Sequence, residues 1–124
     1  RVWVQLTAAD DGAGRFLERL AGALRPLVVV EPPAGVADEG TMLEATGALL
    51  NALLTVEQDF ALILQNYHVI TSPAVHAAVA LMVEYPPPQM HLYVVSRTAP
   101  PLPLARLRVR RQLVEIDLRK AVSG

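Results

Sequence analysis

The chain contains no cysteine among its 124 residues, few aromatic residues (5%) and almost no net charge (−1). Without cysteine, disulfide bonds and thiolate metal sites are excluded, and a reducing, cytoplasmic compartment is the simpler expectation. No apolar run approaches the ~20 residues that cross a bilayer, and no signal-peptide pattern opens the chain. The small net charge argues against a general nucleic-acid-binding surface. We therefore expect one cytoplasmic domain over residues 1–124, with no membrane contact and no direct nucleic-acid partner.

Hydrophobic residues make up 52% of the chain, and they fall into two patterns. Short continuous apolar runs are typical of strands buried on both faces, as in parallel sheets covered by helices. Between these runs, apolar residues recur at helical spacing around positions 16–24, 45–54, 75–82 and 104–107. This alternation predicts an α/β fold, a three-layer parallel sheet with flanking helices. The predicted strands are Val2–Leu6, Phe60–Leu64, Met90–Val95 and Leu113–Ile116.

The predicted helix starts depend on capping signals. Thr41 followed by Glu44 predicts a capping box at the start of the second helix. Ser72 with Pro73 predicts an N-cap and first-turn proline for the third helix. Trp3 is expected in the core.

Polar side chains follow the second and third predicted strands directly. In parallel sheets, ligands bind beyond the carboxyl ends of the strands. We therefore predict that any functional site lies at this edge, among the following residues: Gln65, Asn66, His68, Ser96, Arg97 and Thr98.

Basic residues are concentrated near the end of the chain, where seven of the eleven fall within the last 28 positions. This cluster indicates either a phosphate or nucleic-acid patch or a solvated helix face. No aromatic residue interleaves with the arginines, so stacking on bases has no support. The seven residues are Arg97, Arg106, Arg108, Arg110, Arg111, Arg119 and Lys120.

Three strings carry a resemblance to a known family: LILQNYHVI at 62–70, SPAVH at 72–76 and SRTAPPLPLARLR at 96–108. They closely resemble the nucleotide-binding domain of MalT-like regulators. These are ATP-dependent bacterial transcription activators of the LuxR class, within the STAND group of P-loop NTPases. Residues 2–6 and 15–24 also resemble the segment after that family's P-loop helix. The resemblance implies a P-loop NTPase-like fold, ATP and Mg²⁺ as cofactors of the parent protein, and a separate DNA-binding helix-turn-helix domain.

Two departures from the family pattern bear on function. The phosphate-binding motif G-x-x-x-x-G-K-[ST] (Walker A) does not occur, so we expect a fragment that begins after it. The family's Walker B strand normally ends in two aspartates, and Gln65 and Asn66 stand at those positions. The resemblance assigns the first position to Mg²⁺ and the second to the attacking water, and a carboxamide brings no charge and cannot act as a base. We expect no intact catalytic residue and no ATP or Mg²⁺ bound by this fragment. The sequence leaves open whether the two amides are natural or engineered.

The resemblance also assigns a nucleotide-sensing role to Arg97, together with Ser96 and Thr98. It further implies that a central strand carrying the phosphate loop would be missing from the sheet. Exposed strand edges promote association, so we expect self-association through such an edge, or a rearranged sheet. The expected partners are the neighbouring domains of the parent regulator.

Other chemistries receive little support from the residues. The three histidines lack the spacing of metal ligands, and Ser72 and Ser96 have no nucleophile motif around them. His68 is expected to cap a loop. The predicted function is therefore part of the ATP-binding switch domain of a MalT-like regulator. The alternative is a non-catalytic interaction module with a degenerate nucleotide site.

Overall fold

A computed structural model of the protein describes residues 1–103 and the backbone of residues 113–116. The elements alternate between strands and helices, and short 3₁₀ turns at Ala8–Asp10 and Tyr67–Val69 follow the first two strands. In chain order the elements are β1 (Val2–Gln5), α1 (Ala13–Ala23), α2 (Glu39–Leu53), β2 (Phe60–Gln65), α3 (Pro73–Glu84), β3 (Met90–Ser96) and β4 (Leu113–Ile116).

All four predicted strands are confirmed, with ends shifted by one residue at most. They form one parallel sheet in the order β1-β2-β3-β4. Each strand therefore lies beside the next one in sequence, and β3 pairs directly with β4. This confirms the predicted α/β class with a parallel sheet and flanking helices.

One face of the sheet carries the core. Val2, Leu62 and Leu92 lie in register across β1, β2 and β3, and the row formed by Val4, Leu64 and Val94 lies beside them. All six belong to a single buried cluster together with the apolar stripes of the helices. The three helices contact one another, so α1, α2 and α3 form one layer on this face.

The opposite face of the sheet has no helix against it among the described residues. We call this surface the Trp3 face; it comprises Trp3, Ala61, Ile63, Tyr93 and Val95. Trp3 is 53% exposed, so its prediction as a core residue was wrong. The error arose because a strand covered on one side alternates between buried and exposed positions, and β1 follows that alternation. The described residues form two of the three predicted layers.

The helix starts match the capping predictions in part. Ser72 caps α3, with its hydroxyl accepting a hydrogen bond from the Val75 amide at 3.4 Å, and Pro73 occupies the first turn as predicted. For α2, however, the N-cap is Asp38, whose carboxylate accepts from the Thr41 amide at 2.7 Å. Thr41 thus lies inside the helix, and the predicted Thr41–Glu44 box was displaced by three residues. A carboxylate is an equally good N-cap acceptor, which explains why Asp38 starts the helix earlier.

None of the helices in the described part of the chain is long and apolar enough to span a membrane. The predicted short helix at 104–107 lies outside the described residues. So do six of the seven basic residues near the chain's end, Arg97 being the exception.

Candidate functional site

The carboxyl ends of β2 and β3 lie side by side, as the sequence predicted. Leu64 is the register partner of Val94, and the sheet spacing is about 4.8 Å between neighbouring strands. Gln65 therefore ends β2 next to the last residues of β3, and Ser96 ends β3 itself. The structure thus brings Gln65, Asn66 and Ser96 together at one edge of the sheet.

Asn66 turns the chain sharply as it leaves β2. Its backbone is left-handed (φ 64°, ψ 37°), and it is the only non-glycine residue with positive φ in the described part of the chain. Asparagine is one of the few residues that adopt this conformation, because its short polar side chain bonds locally. The turn directs the chain into the 3₁₀ turn at Tyr67–Val69, where His68 lies.

Ser96 and its two successors differ in exposure. Ser96 is only 2% exposed, and its hydroxyl accepts a hydrogen bond from the Thr98 amide at 3.4 Å. Arg97 and Thr98 are exposed beyond the strand end. Arg97 makes no hydrogen bond or ion pair with residues 1–103, so its guanidinium remains available at the edge that Gln65 and Asn66 occupy.

Asp11 joins the segments that follow β1 and β2, a role that sequence reasoning missed. Its carboxylate accepts from the amides of Thr71 and Ser72, at 2.9 and 2.8 Å, and from the Thr71 hydroxyl. Desolvation alone would raise the pKa of Asp11, but these hydrogen bonds outweigh it and hold the pKa below its ordinary value. No local pattern in the sequence indicates this role, because the partners lie about sixty residues away.

Tyr67 and His76 form a second connection beside this one. The Tyr67 hydroxyl lies 2.8 Å from Nδ1 of His76, and the rings are tilted with centroids 5.4 Å apart. Burial raises the pKa of Tyr67, chiefly by desolvation, with the charge of Asp11 adding to the shift. Burial lowers the pKa of His76, and Asp11 and the Ile70 carbonyl offset this only in part. At neutral pH the pair is therefore uncharged, and we assign the tyrosine hydroxyl as the donor.

Asp10 is also committed to local structure. Its carboxylate accepts from the Thr7 amide at 2.9 Å and lies 3.6 Å from the Arg19 guanidinium. Arg19 in turn donates to the backbone carbonyl of Gln5, at 3.1 Å. Asp10 and Asp11, the two carboxylates that follow β1, thus both accept hydrogen bonds from loop residues.

His68 is half-buried next to Asn66. Its Nδ1 atom is buried and has no hydrogen-bond partner among the described residues. The predicted loop-capping role of His68 therefore has no hydrogen bond through Nδ1 to support it.

The donor set at this edge does not fit a Mg²⁺ ion. Mg²⁺ is usually bound through one or two carboxylates, and here the strand end supplies two neutral amides. Asp10 and Asp11, which follow the neighbouring strand β1, already accept the hydrogen bonds described above. No group of three His, Asp or Glu side chains within the described residues could hold a metal ion.

A groove of about 460 Å³ lies elsewhere, near the C-terminal ends of α2 and α3, lined by Leu54 and Tyr85 among others.

Comparison with known proteins relates the chain to one kind of regulator. It is 30% identical over 123 residues to the HTH-type transcriptional regulator MalT of Yersinia enterocolitica, covering 95% of this chain and 14% of that protein. It is 33% identical over 122 residues to MalT of Serratia proteamaculans, covering 92% of this chain and 13% of that protein. No protein-family model matches the chain. The similarity supports a MalT-like relationship, with the chain spanning about one-seventh of the length of these relatives.

Proposed function

We propose that this chain is a segment of the nucleotide-binding switch domain of a MalT-like transcriptional regulator, and that this segment alone neither binds nor hydrolyses ATP. The observation that carries the proposal is the placement of Gln65, Asn66 and Ser96 at adjacent carboxyl ends of a parallel sheet. Open α/β sheets bind their ligands at such an edge. The similarity to MalT over nearly the whole chain supports the assignment to a regulator.

The side-chain amides of Gln65 and Asn66 explain why this segment would neither bind nor hydrolyse ATP. Asparagine and aspartate are nearly the same size, and both tolerate the left-handed backbone found at position 66. Glutamine is one methylene longer than aspartate and offers a neutral oxygen. The exchange therefore preserves the turn while removing the charge that a divalent cation and a general base require.

Arg97 is the residue proposed to sense the nucleotide. It follows the buried Ser96 directly, is exposed, and forms no ion pair with residues 1–103. An unpaired guanidinium at the ligand-binding edge of a sheet is suited to phosphate oxygens, which it contacts through charge-assisted hydrogen bonds. Ser96 and Thr98 hold the strand end from which Arg97 projects.

Isothermal titration calorimetry of this chain with Mg-ATP tests the proposed inability to bind ATP. We expect no binding tighter than about millimolar, which corresponds to ~4 kcal/mol. Binding at micromolar concentrations would show that the edge holds the nucleotide without the phosphate loop, and this part of the proposal would then be wrong.

The sensor assignment is tested in a longer protein that combines this segment with a phosphate-binding loop. Gln65→Asp with Asn66→Asp should raise hydrolysis there, because two carboxylates are restored. In that background, Arg97→Ala should weaken ATP relative to ADP by roughly 1–3 kcal/mol, since only ATP has a γ-phosphate. Arg25→Ala is the matched control, because Arg25 is exposed and pairs with Glu31 away from this edge. Equal weakening of ATP and ADP would refute the sensor role.

A second candidate function is a non-catalytic interaction module. The exposed Trp3 face favours it, because a parallel sheet normally has both faces covered. If this alternative is correct, ATP affinity in a longer protein with the phosphate loop should not change. This should hold both for Arg97→Ala and for Gln65→Asp with Asn66→Asp.

A further inference from the structure

We propose that Asp11 is a positioning residue for the ligand-binding edge of the sheet, because it fixes the loop that begins with Gln65 and Asn66. We call residues 65–72 the β2–α3 loop and residues 6–11 the β1–α1 segment. The inference rests on the proposed function, since it assumes that a ligand binds where β2 ends. It assigns to Asp11 a role in the geometry of that edge, in addition to its contribution to stability.

The β1–α1 segment contacts the β2–α3 loop at both of its ends. At the first end, the Leu6 amide donates to the Gln65 carbonyl at 2.9 Å. At the other end, the Asp11 carboxylate accepts from the amides of Thr71 and Ser72, at 2.9 and 2.8 Å. The loop is therefore fixed at both ends by one neighbouring segment.

The middle of the β2–α3 loop is fixed to α3. Tyr67 is buried, and its hydroxyl lies 2.8 Å from Nδ1 of His76 in α3. The His76 amide in turn donates to the Ser72 carbonyl at 3.0 Å, within the first turn of that helix. Asp11 thus acts on Tyr67 indirectly, because it holds the start of the helix that carries His76.

The backbone at position 66 needs such support. Asn66 has a left-handed backbone with φ 64°, which is less favourable than right-handed conformations for any residue with a side chain. Such a conformation persists where the surrounding structure holds it. The Asn66 carbonyl accepts from the Val69 amide at 3.1 Å, and the Asn66 side chain makes no cap hydrogen bond to the 3₁₀ turn. The position of Asn66 therefore depends on the loop being held in place.

Asp38 provides a matched control for Asp11. It is also a carboxylate that accepts from an amide at a helix start, that of Thr41 in α2, at 2.7 Å. Its side-chain hydrogen bonds within the described residues all go to Thr41. Asp38→Ala should therefore lower the stability of the chain, as N-cap replacements do, without changing the β2–α3 loop.

Hydrogen exchange of the 124-residue chain, followed by NMR, tests whether Asp11 fixes the loop. The amides of Val69 and Ile70 donate to carbonyls within the loop, at 3.1 and 3.0 Å, so their exchange reports its local opening. We expect Asp11→Ala to speed the exchange of these two amides at least about tenfold, and Asp38→Ala to leave it unchanged. If Asp11→Ala does not fold by circular dichroism, Thr71→Val replaces it. That variant removes one donor to the carboxylate, and we expect about threefold faster exchange.

The rate of ATP hydrolysis tests the consequence for the edge, in a longer protein with the phosphate loop and with Gln65→Asp and Asn66→Asp. Asp11→Ala should lower kcat about tenfold, because small displacements of reacting groups slow a reaction strongly. The dissociation constants of ATP and ADP should stay within about twofold, since the phosphate loop provides most of the contacts to the nucleotide. Asp11→Asn retains an acceptor oxygen and should restore part of kcat, and Asp38→Ala should leave kcat unchanged.

The two experiments separate this inference from the proposed function. A longer protein that hydrolyses no ATP with both aspartates restored would refute the proposed function, whereas exchange in the chain alone still decides whether Asp11 fixes the loop. Unchanged exchange of Val69 and Ile70 in Asp11→Ala would overturn the inference. So would equal acceleration of these amides, or equal loss of kcat, in Asp11→Ala and Asp38→Ala.

Discussion

Replacement of Asp11 by alanine removes the carboxylate that joins the segment after β1 to the start of α3. Three donors lose their acceptor: the amides of Thr71 and Ser72 and the Thr71 hydroxyl. Hydrogen bonds to a charged acceptor contribute about 1.5–3 kcal/mol each when the donors are buried. Thr71 is exposed, however, so water replaces its lost bonds, and only the Ser72 amide is half-buried.

The expected loss for Asp11→Ala is therefore about 2 kcal/mol in the free energy of unfolding, well below the sum of three full hydrogen bonds. This is the upper part of the range measured for N-cap replacements, which fits a carboxylate at the first residues of α3. Asp11→Asn is the matched variant. It retains one acceptor oxygen and loses the charge, so we expect about 1 kcal/mol.

Urea unfolding at a series of pH values is the assay, with Trp3 fluorescence and circular dichroism as independent probes. The pKa of Asp11 is lower in the folded chain than its ordinary value of 3.8. The charged carboxylate thus contributes stability that is present above the ordinary value and is lost as pH falls through the folded pKa. The difference between Asp11 and Asp11→Asn should be largest near pH 7 and shrink below about pH 4, with unchanged m-values.

Two results would refute this reasoning. A loss below about 0.5 kcal/mol for Asp11→Ala would mean that solvent replaces all three bonds. A difference between Asp11 and Asp11→Asn that stays constant from pH 7 to pH 3 would mean that the charge has no part in the effect.

Two further predictions concern the neighbouring turn. Tyr67→Phe should lower the free energy of unfolding by about 1 kcal/mol and raise the pKa of His76, because the hydroxyl donates to the neutral ring. NMR titration of His76 checks this, and a fall in its pKa would show that the ring is the donor. Asn66→Ala should destabilise the chain by about 1 kcal/mol because of its positive φ, whereas Asn66→Gly should be nearly neutral. Urea midpoints compare the two variants, and equal losses would mean that the asparagine side chain, not the backbone, stabilises the turn.

The sequence predicted the strands well because buried β-residues leave a strong local signal. Phe60–Gln65 and Met90–Ser96 are continuous apolar runs ended by polar residues, and chain order with parallel pairing placed Gln65 and Ser96 together. Trp3 was misassigned because whether a strand is covered on one face or two depends on the order of all the strands. Asp11 was missed for a related reason. Its acceptor role depends on Thr71 and Ser72, and such a distant contact leaves no trace in local spacing.

The order of the strands also has a consequence for how the chain folds. Val2 pairs with Leu62, Phe60 with Met90, and Tyr93 with Leu113, so the intervening loops shorten from about sixty residues to thirty and then twenty. Closing a loop three times longer costs about 1 kcal/mol more in chain entropy. We therefore expect β3 and β4 to pair first, β2 to join them next and β1 to dock last, even though β1 comes first in the chain. Asp11 then stabilises the last step, the docking of β1. Its replacement by alanine should therefore speed unfolding more than it slows folding.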